Sequence, residues 1–244
     1  MRDLTLILPY YRNPQMLGEQ QRVWRSYSAD LRWRLHVVVV DDGSPKFRAE
    51  KALDAECPIA SVRLYRCGVD VRWNWLFCRN LGVQEATTEW VFLTDIDHVI
   101  PEWTLRRILD GPLDARCVYR FARVDAPLLT PTIGKYGEDK AHPNTWLMTR
   151  AMFDRIGGYD ERFSGWYGTD GEFRDRVQQR ARAVVLLPEP IIQYSRDVIP
   201  DASTTAYDRK TAEDRANVAR IRDERANEAN RRPLRVTFPY ERLR

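Results

Sequence analysis

The sequence predicts an α/β protein: a Rossmann-like, mostly parallel central sheet flanked by helices. Three observations lead there. Short apolar runs rich in Val, Ile and Leu recur through the first hundred residues, as strands buried on both faces require. Segments with apolar residues at helical spacing separate those runs. The chain has 244 residues, 43% of them hydrophobic, enough for one sizeable domain or one domain with a small appendage.

Taken in order, strands are expected at Leu4–Leu8, Leu35–Val40, Ser61–Tyr65 and Trp90–Leu93. Helices are expected between them, at Gln15–Ala29, Pro45–Ala55 and Trp73–Ala86. Repeated βαβ units of this kind imply a parallel, doubly wound sheet. The run "DDGSP", Asp41 to Pro45, reads as a strand end, a turn, a Ser cap and a Pro at the first helical position. Beyond Pro101 the rhythm changes. A helix at Glu102–Leu109 and a strand near Cys117–Ala122 precede an irregular stretch from Asp125 to Asn144. A structureless segment of that length usually carries function. Helices follow at Arg150–Ile156 and Gly171–Ala181, and "AVVLLPEPIIQY" reads as two short strands broken at Pro188 and Pro190. A charged helix from about Thr205 to Arg231, with Val218 and Ile221 among its few apolar anchors, completes the chain. The division expected is 1–195 as one domain, with a nucleotide-binding half over 1–100 and an acceptor-binding half over 101–195. Residues 196–244 form a helical extension.

Composition narrows the class. The 39 basic and 35 acidic residues leave a net charge of +4, which permits contact with phosphates without announcing a nucleic-acid binder. Cys57, Cys67, Cys78 and Cys117 form no CxxC pair, so reduced thiols are expected. The start "LTLILPYY" lacks the pattern of a secretory signal, and the apolar run around Val37 to Val40 is far too short to span a bilayer. A soluble, cytoplasmic protein is the expectation.

The chemistry is sought at strand ends, because ligands of open α/β sheets bind beyond the carboxyl ends of the strands. "PYYRN", "DDGS" and "TDIDH" follow the first, second and fourth expected strands. Asp95 and Asp97, one residue apart, repel each other unless a cation lies beside them. Oxygen ligands of this kind suit Mg²⁺ or Mn²⁺ shared with substrate phosphates. Capping of the following helix with solvated charge is the bland alternative. His98 is a third metal ligand or a turn cap. His142, in "KAHPNTW", belongs to an acceptor loop or to plain surface, and Trp73 and Trp75 are assigned to the core.

Four stretches together resemble one family. "LILPYYRNP", "VVVVDDGSP", "RNLGVQEATTEWVFLTDIDHVIP" and "GGYDERFSGWYGTDGEF" look like the GT-A fold of family 2 nucleotide-sugar glycosyltransferases, over roughly residues 3 to 195. The last stretch is similar to the Gly-Trp-Gly-x-Glu-Asp segment of galactosyltransferases. The resemblance implies that Pro9 and Tyr11 line the base pocket, that Asp42 with Asp41 holds uracil or ribose, and that Arg79 and Asn80 face the nucleotide. It implies that Asp97, aided by Asp95, binds Mn²⁺ or Mg²⁺ on the donor diphosphate, a UDP-sugar being favoured. Asp170 takes the place of the catalytic base, and Trp166 that of an aromatic stacking on acceptor or donor. Thr169 stands where the family has Glu, and Glu172 is placed to compensate as an acceptor contact.

The reaction implied is inverting sugar transfer to an acceptor hydroxyl, on a glycan or another hydroxyl-bearing molecule. The arginines between Arg215 and Arg232 and the end "NRRPLRVTFPYERLR" keep open an alternative acceptor, DNA with hydroxymethylated bases. Thr169 keeps open a catalytically silent nucleotide-sugar-binding module. A nucleotidyltransferase is disfavoured because no Gly-rich, Lys-containing phosphate loop follows Leu8. Oligomeric state has no signature in the sequence.

Overall fold

The structure is a computed structural model, and it describes residues 2–133, 140–204, 211–227 and 232–244. The strands are β1 (Leu4–Tyr10), β2 (Leu35–Asp41), β3 (Ser61–Cys67), β4 (Trp90–Leu93), β5 (His98–Val99), β6 (Val118–Asp125), β7 (Thr130–Pro131), β8 (Trp146–Thr149), β9 (Val184–Gln193) and β10 (Tyr240–Arg242). The helices are α1 (Pro14–Ser26), α2 (Ala29–Arg32), α3 (Ala49–Ala52), α4 (Trp75–Glu85), α5 (Glu102–Asp110), α6 (Arg150–Ile156), α7 (Asp170–Arg180) and α8 (Ala212–Asn227). The strands make one sheet in the order β10-β3-β2-β1-β4-β8-β6-β9-β5, with β7 beside β6. β3, β2, β1 and β4 run parallel, β8 and β10 antiparallel to their inner neighbours, and β9 parallel to β6.

The parallel centre is buried on both faces, and the alternation of side chains along each strand divides it between two cores. Leu4, Leu6, Leu8, Val37 and Val39 enter one apolar cluster with Trp24 and Leu105. Ile7, Val38 and Val40 enter the other, with Phe77, Phe153 and Phe173. Close approach of α4 to β1 explains a glycine: a Cβ on Gly82 would lie 2.3 Å from Cγ2 of Ile7. That approach brings the Arg79–Asn80 turn of α4 near the carboxyl edge of the sheet.

Several expectations are corrected. The helix expected over Pro45–Ala55 shrinks to one turn, Ala49–Ala52, because the chain after β2 is wrapped around the Asp41 side chain. Phe47 there has φ 53° and Gly43 φ 69°, incompatible with a helix, and a Cβ on Gly43 would strike the carbonyl oxygen of Val69 at 2.2 Å. The two strands expected around Pro188 and Pro190 are one strand, β9. A bulge opposite Phe121–Arg123 absorbs both prolines, whose missing N–H groups cost little where the strand has no partner on its other side. The helix expected over Thr205–Arg231 is α8; residues 205–210 and 228–231 lie outside the described residues. β5, β7, β8 and β10 have no counterpart among the expected strands.

Residues beyond 195 are fastened to the sheet. Asp201 accepts the Gln15 and Met16 amides at 2.7 and 2.8 Å and so caps α1. Glu161, nearly fully buried, takes the Thr237 amide and hydroxyl, each at 2.7 Å, and β10 pairs with β3. Among the described residues, no helix is long and apolar enough to cross a membrane.

Candidate active site

The ends of β1, β2 and β4 open into a cleft of about 1120 Å³. Pro9 and Tyr11 come from the end of β1, Asp42 from the residue after β2, and Asp95 and Asp97 from the turn after β4. Thr169 and Asp170, at the start of α7, face the same space. Three sequence-distant acidic clusters therefore share one cleft. Its walls include Asp70, Trp73, Trp75, His142, Asn144 and Tyr167, the basic side chains of Arg12, Arg72, Arg123 and Lys140, and the stretches 193–196 and 202–204.

On the β1–β2 side Asp42 is desolvated while Arg12, Asp70 and Arg72 face solvent, Arg12 lying 3.7 Å from Asp70. Asp42 is almost fully buried, and its Oδ1 has no hydrogen-bond partner among the described residues. Burial, with Asp41 adjacent, pushes its carboxyl up to about 8. A buried acceptor left open in a cleft wall suits a ligand that donates a hydrogen bond. Tyr11 donates to Asp70 at 3.0 Å; burial and that hydrogen bond push its phenol up to about 12. Arg12 beside it has φ 58°, a left-handed strain stabilised by its amide donating to Ser44 Oγ at 3.1 Å. Trp73, across the cleft, is strained likewise at φ 58° and packs against Tyr167 at a tilt of 53°, ring centres 4.9 Å apart.

On the β4 side the carboxylates have cationic or imidazole neighbours. Arg79, fully buried, ion-pairs with Asp95 and donates to Tyr159 at 3.1 Å, its guanidinium lying 4.6 Å over Trp75. Burial raises the Asp95 carboxyl above the usual range, opposed by Arg79 and reinforced by Asp97. His142 Nε2 lies 3.5 Å from Asp95, and burial with nearby His98 and Arg123 keeps its imidazole neutral, well below its ordinary pKa. Asp97 lies against His98 Nδ1 at 2.8 Å. Across the cleft, Asn144 Nδ2 donates to Asp170 Oδ1 at 3.0 Å and so orients that carboxylate.

The other predicted residues stand elsewhere. Asp41, fully buried, spends both oxygens on the amides of Ser44 and Ala49, at 2.8 and 2.9 Å. Arg79 lies beneath Asp95 and off the cleft wall. Asn80 clamps the chain around Tyr159, donating to the Tyr159 carbonyl at 2.8 Å and to Glu161 at 2.7 Å while accepting the Tyr159 amide at 2.8 Å. His98 is buried behind Asp97, its ring 4.3 Å from that of His142. Trp166 is half-buried against the second core, and its neighbour Tyr167 faces the cleft instead. Glu172 is engaged with Arg176 at 2.7 Å and with Arg225. Trp75 packs against the second core as expected and also borders the cleft, whereas Trp73, expected in the core, is a cleft aromatic, because helical spacing hides that its turn opens at a sheet edge.

Whether these side chains fit a divalent ion turns on donor type and number. Among the described residues, no three His, Cys, Asp or Glu side chains form a ready metal cage. Asp95 and Asp97 instead offer two carboxylates at the cleft wall, with the His142 imidazole 3.5 Å from Asp95. That set fits Mg²⁺ or Mn²⁺ completed by phosphate oxygens and water, and it does not fit an ion bound by protein alone.

No protein-family model matches the chain, and curated proteins yield no significant match. Solved structures do. S. aureus TarS 1–349 in complex with UDP-GlcNAc superposes with a TM-score of 0.66 at 15% identity, covering 93% of this chain and 68% of that one. GalNAc-T7 with UDP, GalNAc and Mn²⁺ gives 0.65 at 12% identity, over 91% and 48%. The mannosyltransferase PcManGT from Pyrobaculum calidifontis, in complex with GDP-Man and Mn²⁺, gives 0.56 at 18%, over 80% and 59%. The chain thus spans between about half and two thirds of these proteins. At such identities the likeness establishes the fold, which is the GT-A fold.

Proposed function

We propose that this protein is a glycosyltransferase that moves a sugar from a nucleoside-diphosphate donor to an acceptor hydroxyl. One observation carries the reading: Asp42, Asp97 and Asp170, remote in sequence, line a single cleft at the carboxyl edge of a GT-A sheet. The fold's solved neighbours were captured with UDP-GlcNAc, with UDP and GalNAc, and with GDP-Man, which supports a nucleotide-sugar donor here.

In this reading the base lies between Pro9 and Tyr11, and a base N–H donates to the open oxygen of Asp42. The diphosphate points toward Asp95 and Asp97. Arg79 does not touch it; beneath the wall its charge opposes the rise that burial imposes on the Asp95 carboxyl. Mn²⁺ or Mg²⁺ held by Asp97, with Asp95 and His142 beside it, would neutralise charge on the departing diphosphate. Asp170, fixed by Asn144, accepts the proton of the acceptor hydroxyl as its oxygen bonds to the anomeric carbon. The bond to the donor phosphate breaks in the same displacement, the electron pair leaves with the nucleoside diphosphate, and the anomeric centre inverts. Tyr167 and Trp73 offer the aromatic face against which a sugar ring packs.

Thermal-shift screening of UDP-, GDP- and dTDP-sugars with and without Mn²⁺ tests this. A ligand at about a hundred times its Kd stabilises the native state by about 2.7 kcal/mol. One donor is expected to raise Tm only when metal is present, and Asp97→Ala is expected to abolish the shift. Equal shifts in wild type and variant would overturn the metal assignment.

A further inference from the structure

A second concavity, of about 910 Å³, opens along α7 beyond its first turn and shares no lining residue with the cleft. Seven arginines line it against three carboxylates, an excess of four positive charges. Three arginines are neutralised within the wall. Arg176 binds Glu172 at 2.7 Å, Arg225 binds Glu172 and, at 3.0 Å, Asp160, and Arg235 binds Asp154 at 2.7 Å.

The other four, Arg155, Arg180, Arg222 and Arg232, have no carboxylate partner among the described residues. They come from α6, α7, α8 and the C-terminal segment. Complementing the helix dipole accounts for cations in a last turn, such as Arg155 and Arg180, and Arg176 does so directly by donating to the Ile156 carbonyl at 2.8 Å. It does not account for Arg222 or Arg232, which approach from other elements. Among the described residues Asp175, 3.5 Å from Arg174, is the one lining carboxylate not bound to a lining arginine, and it leaves these guanidinium groups with an uncompensated repulsion that a ligand with several negative charges relieves. Their planar forks match phosphate oxygens two at a time.

The lining also says what the ligand is not. It contains no aromatic side chain, whereas proteins that hold single-stranded nucleic acid interleave aromatics to stack bases. The concavity reads charge without reading bases. Its position adds a direction. Asp170 opens α7 and Arg180 closes it, so the two lie about 15 Å apart along one helix.

We infer that this concavity is an acceptor subsite: it holds the phosphates of a linear, phosphate-bearing chain whose hydroxyl reaches Asp170. The inference rests on the glycosyltransferase reading only for the role of Asp170; the arginine site binds its ligand whether or not a donor is present. Such a chain lies along α7, its phosphates on the unpaired arginines and its reacting unit in the cleft beside Tyr167.

Fluorescence anisotropy of end-labelled inorganic polyphosphate, without nucleotide sugar, tests the subsite alone. The double variant Arg180→Ala/Arg222→Ala is expected to bind about tenfold more weakly or worse. Its slope of log affinity against log salt is expected to fall by roughly 0.7 for each phosphate no longer neutralised. Asp170→Asn is expected to bind as wild type does. Both arginines are exposed and have no carboxylate partner among the described residues, so the double variant is expected to melt as wild type does, and Arg222→Glu gives an independent second reading. Equal binding by wild type and both variants would overturn the subsite. So would displacement of the probe by a single-stranded oligonucleotide at lower concentration than by unlabelled polyphosphate. Failure of wild type to cleave any nucleotide sugar would instead sink the reaction and leave the binding result standing.

Discussion

Asp42, just past β2, and Asp97, just past β4, face one cleft from either side of β1, yet their surroundings differ in kind. Near Asp42 burial dominates and the nearest charged neighbours, Asp41 and Asp70, are also acidic, so the carboxyl holds its proton to about pH 8. Near Asp97 and Asp95 stand His98, His142 and the buried Arg79, and the carboxylates there are paired. The contrast shows how one residue type serves two tasks at one sheet edge. Desolvated and with no charged partner on its open oxygen, Asp42 suits a hydrogen-bond donor such as a base edge; carboxylates that have Arg79 and imidazoles beside them suit a site where charge is handled, as on a diphosphate.

The largest expected effect tests the reacting end of the charged side. Asp170→Asn should lower kcat about 10²–10⁴-fold while leaving the donor-induced Tm shift intact, because proton abstraction is lost and donor binding is not. Unchanged turnover would move the base elsewhere. Next, Arg79→Ala should destabilise the fold by about 3 kcal/mol in denaturant melts, since it leaves Asp95 without its cation and removes a fully buried side chain. Adding Asp95→Asn should recover part of that loss; no recovery would mean that Arg79 acts through Tyr159 and Trp75 instead.

On the uncharged side, the Asp42 carboxyl is raised in the folded state from an ordinary 3.8 to about 8. Between those values the native protein binds more protons than the unfolded chain, so this group's contribution to stability falls as pH rises from about 4 to about 8. Asp42→Asn should remove that contribution, and its stability relative to wild type should grow across the same window. A difference independent of pH would place Asp42 among ordinary ionised carboxylates. The smallest expected effect sharpens the geometry. Asn144→Ala removes one hydrogen bond to Asp170, worth about 1 kcal/mol, so kcat should fall about fivefold with little change in stability.

Legibility in the sequence differed by region for physical reasons. β1, β2 and β4 stood out because strands buried on both faces are apolar at nearly every position; β3, SVRLYRC, is half-buried at four of its seven positions and more polar. β8 escapes detection although Trp146–Thr149 is apolar, because its four residues run straight into α6. β10 gives no signal at all: Tyr240–Arg242 is exposed along its length and is a strand only because the edge of β3 offers it partners. At the cleft, residues at strand ends were legible, since sheet topology dictates where such ends point. Arg79, Asn80 and Glu172 read as ligand contacts in the sequence, whereas they fasten the frame. Arg79 supports Asp95, Asn80 clamps the turn at Tyr159, and Glu172 is paired with arginines. A polar residue in a motif looks the same in sequence whether its partner is a substrate or the protein's own backbone.

The sequence alone determined the parallel α/β centre and the convergence of the segments bearing Pro9 and Tyr11, Asp42, and Asp95 and Asp97, because strand periodicity and chain handedness constrain both; Asp170 was indicated by the family resemblance. Only the tertiary structure decided which carboxyl burial pushes up, which tryptophans met the cleft, and where four arginines with no carboxylate partner among the described residues gathered. Those outcomes depend on burial and on neighbours many residues away, and one-dimensional spacing encodes neither.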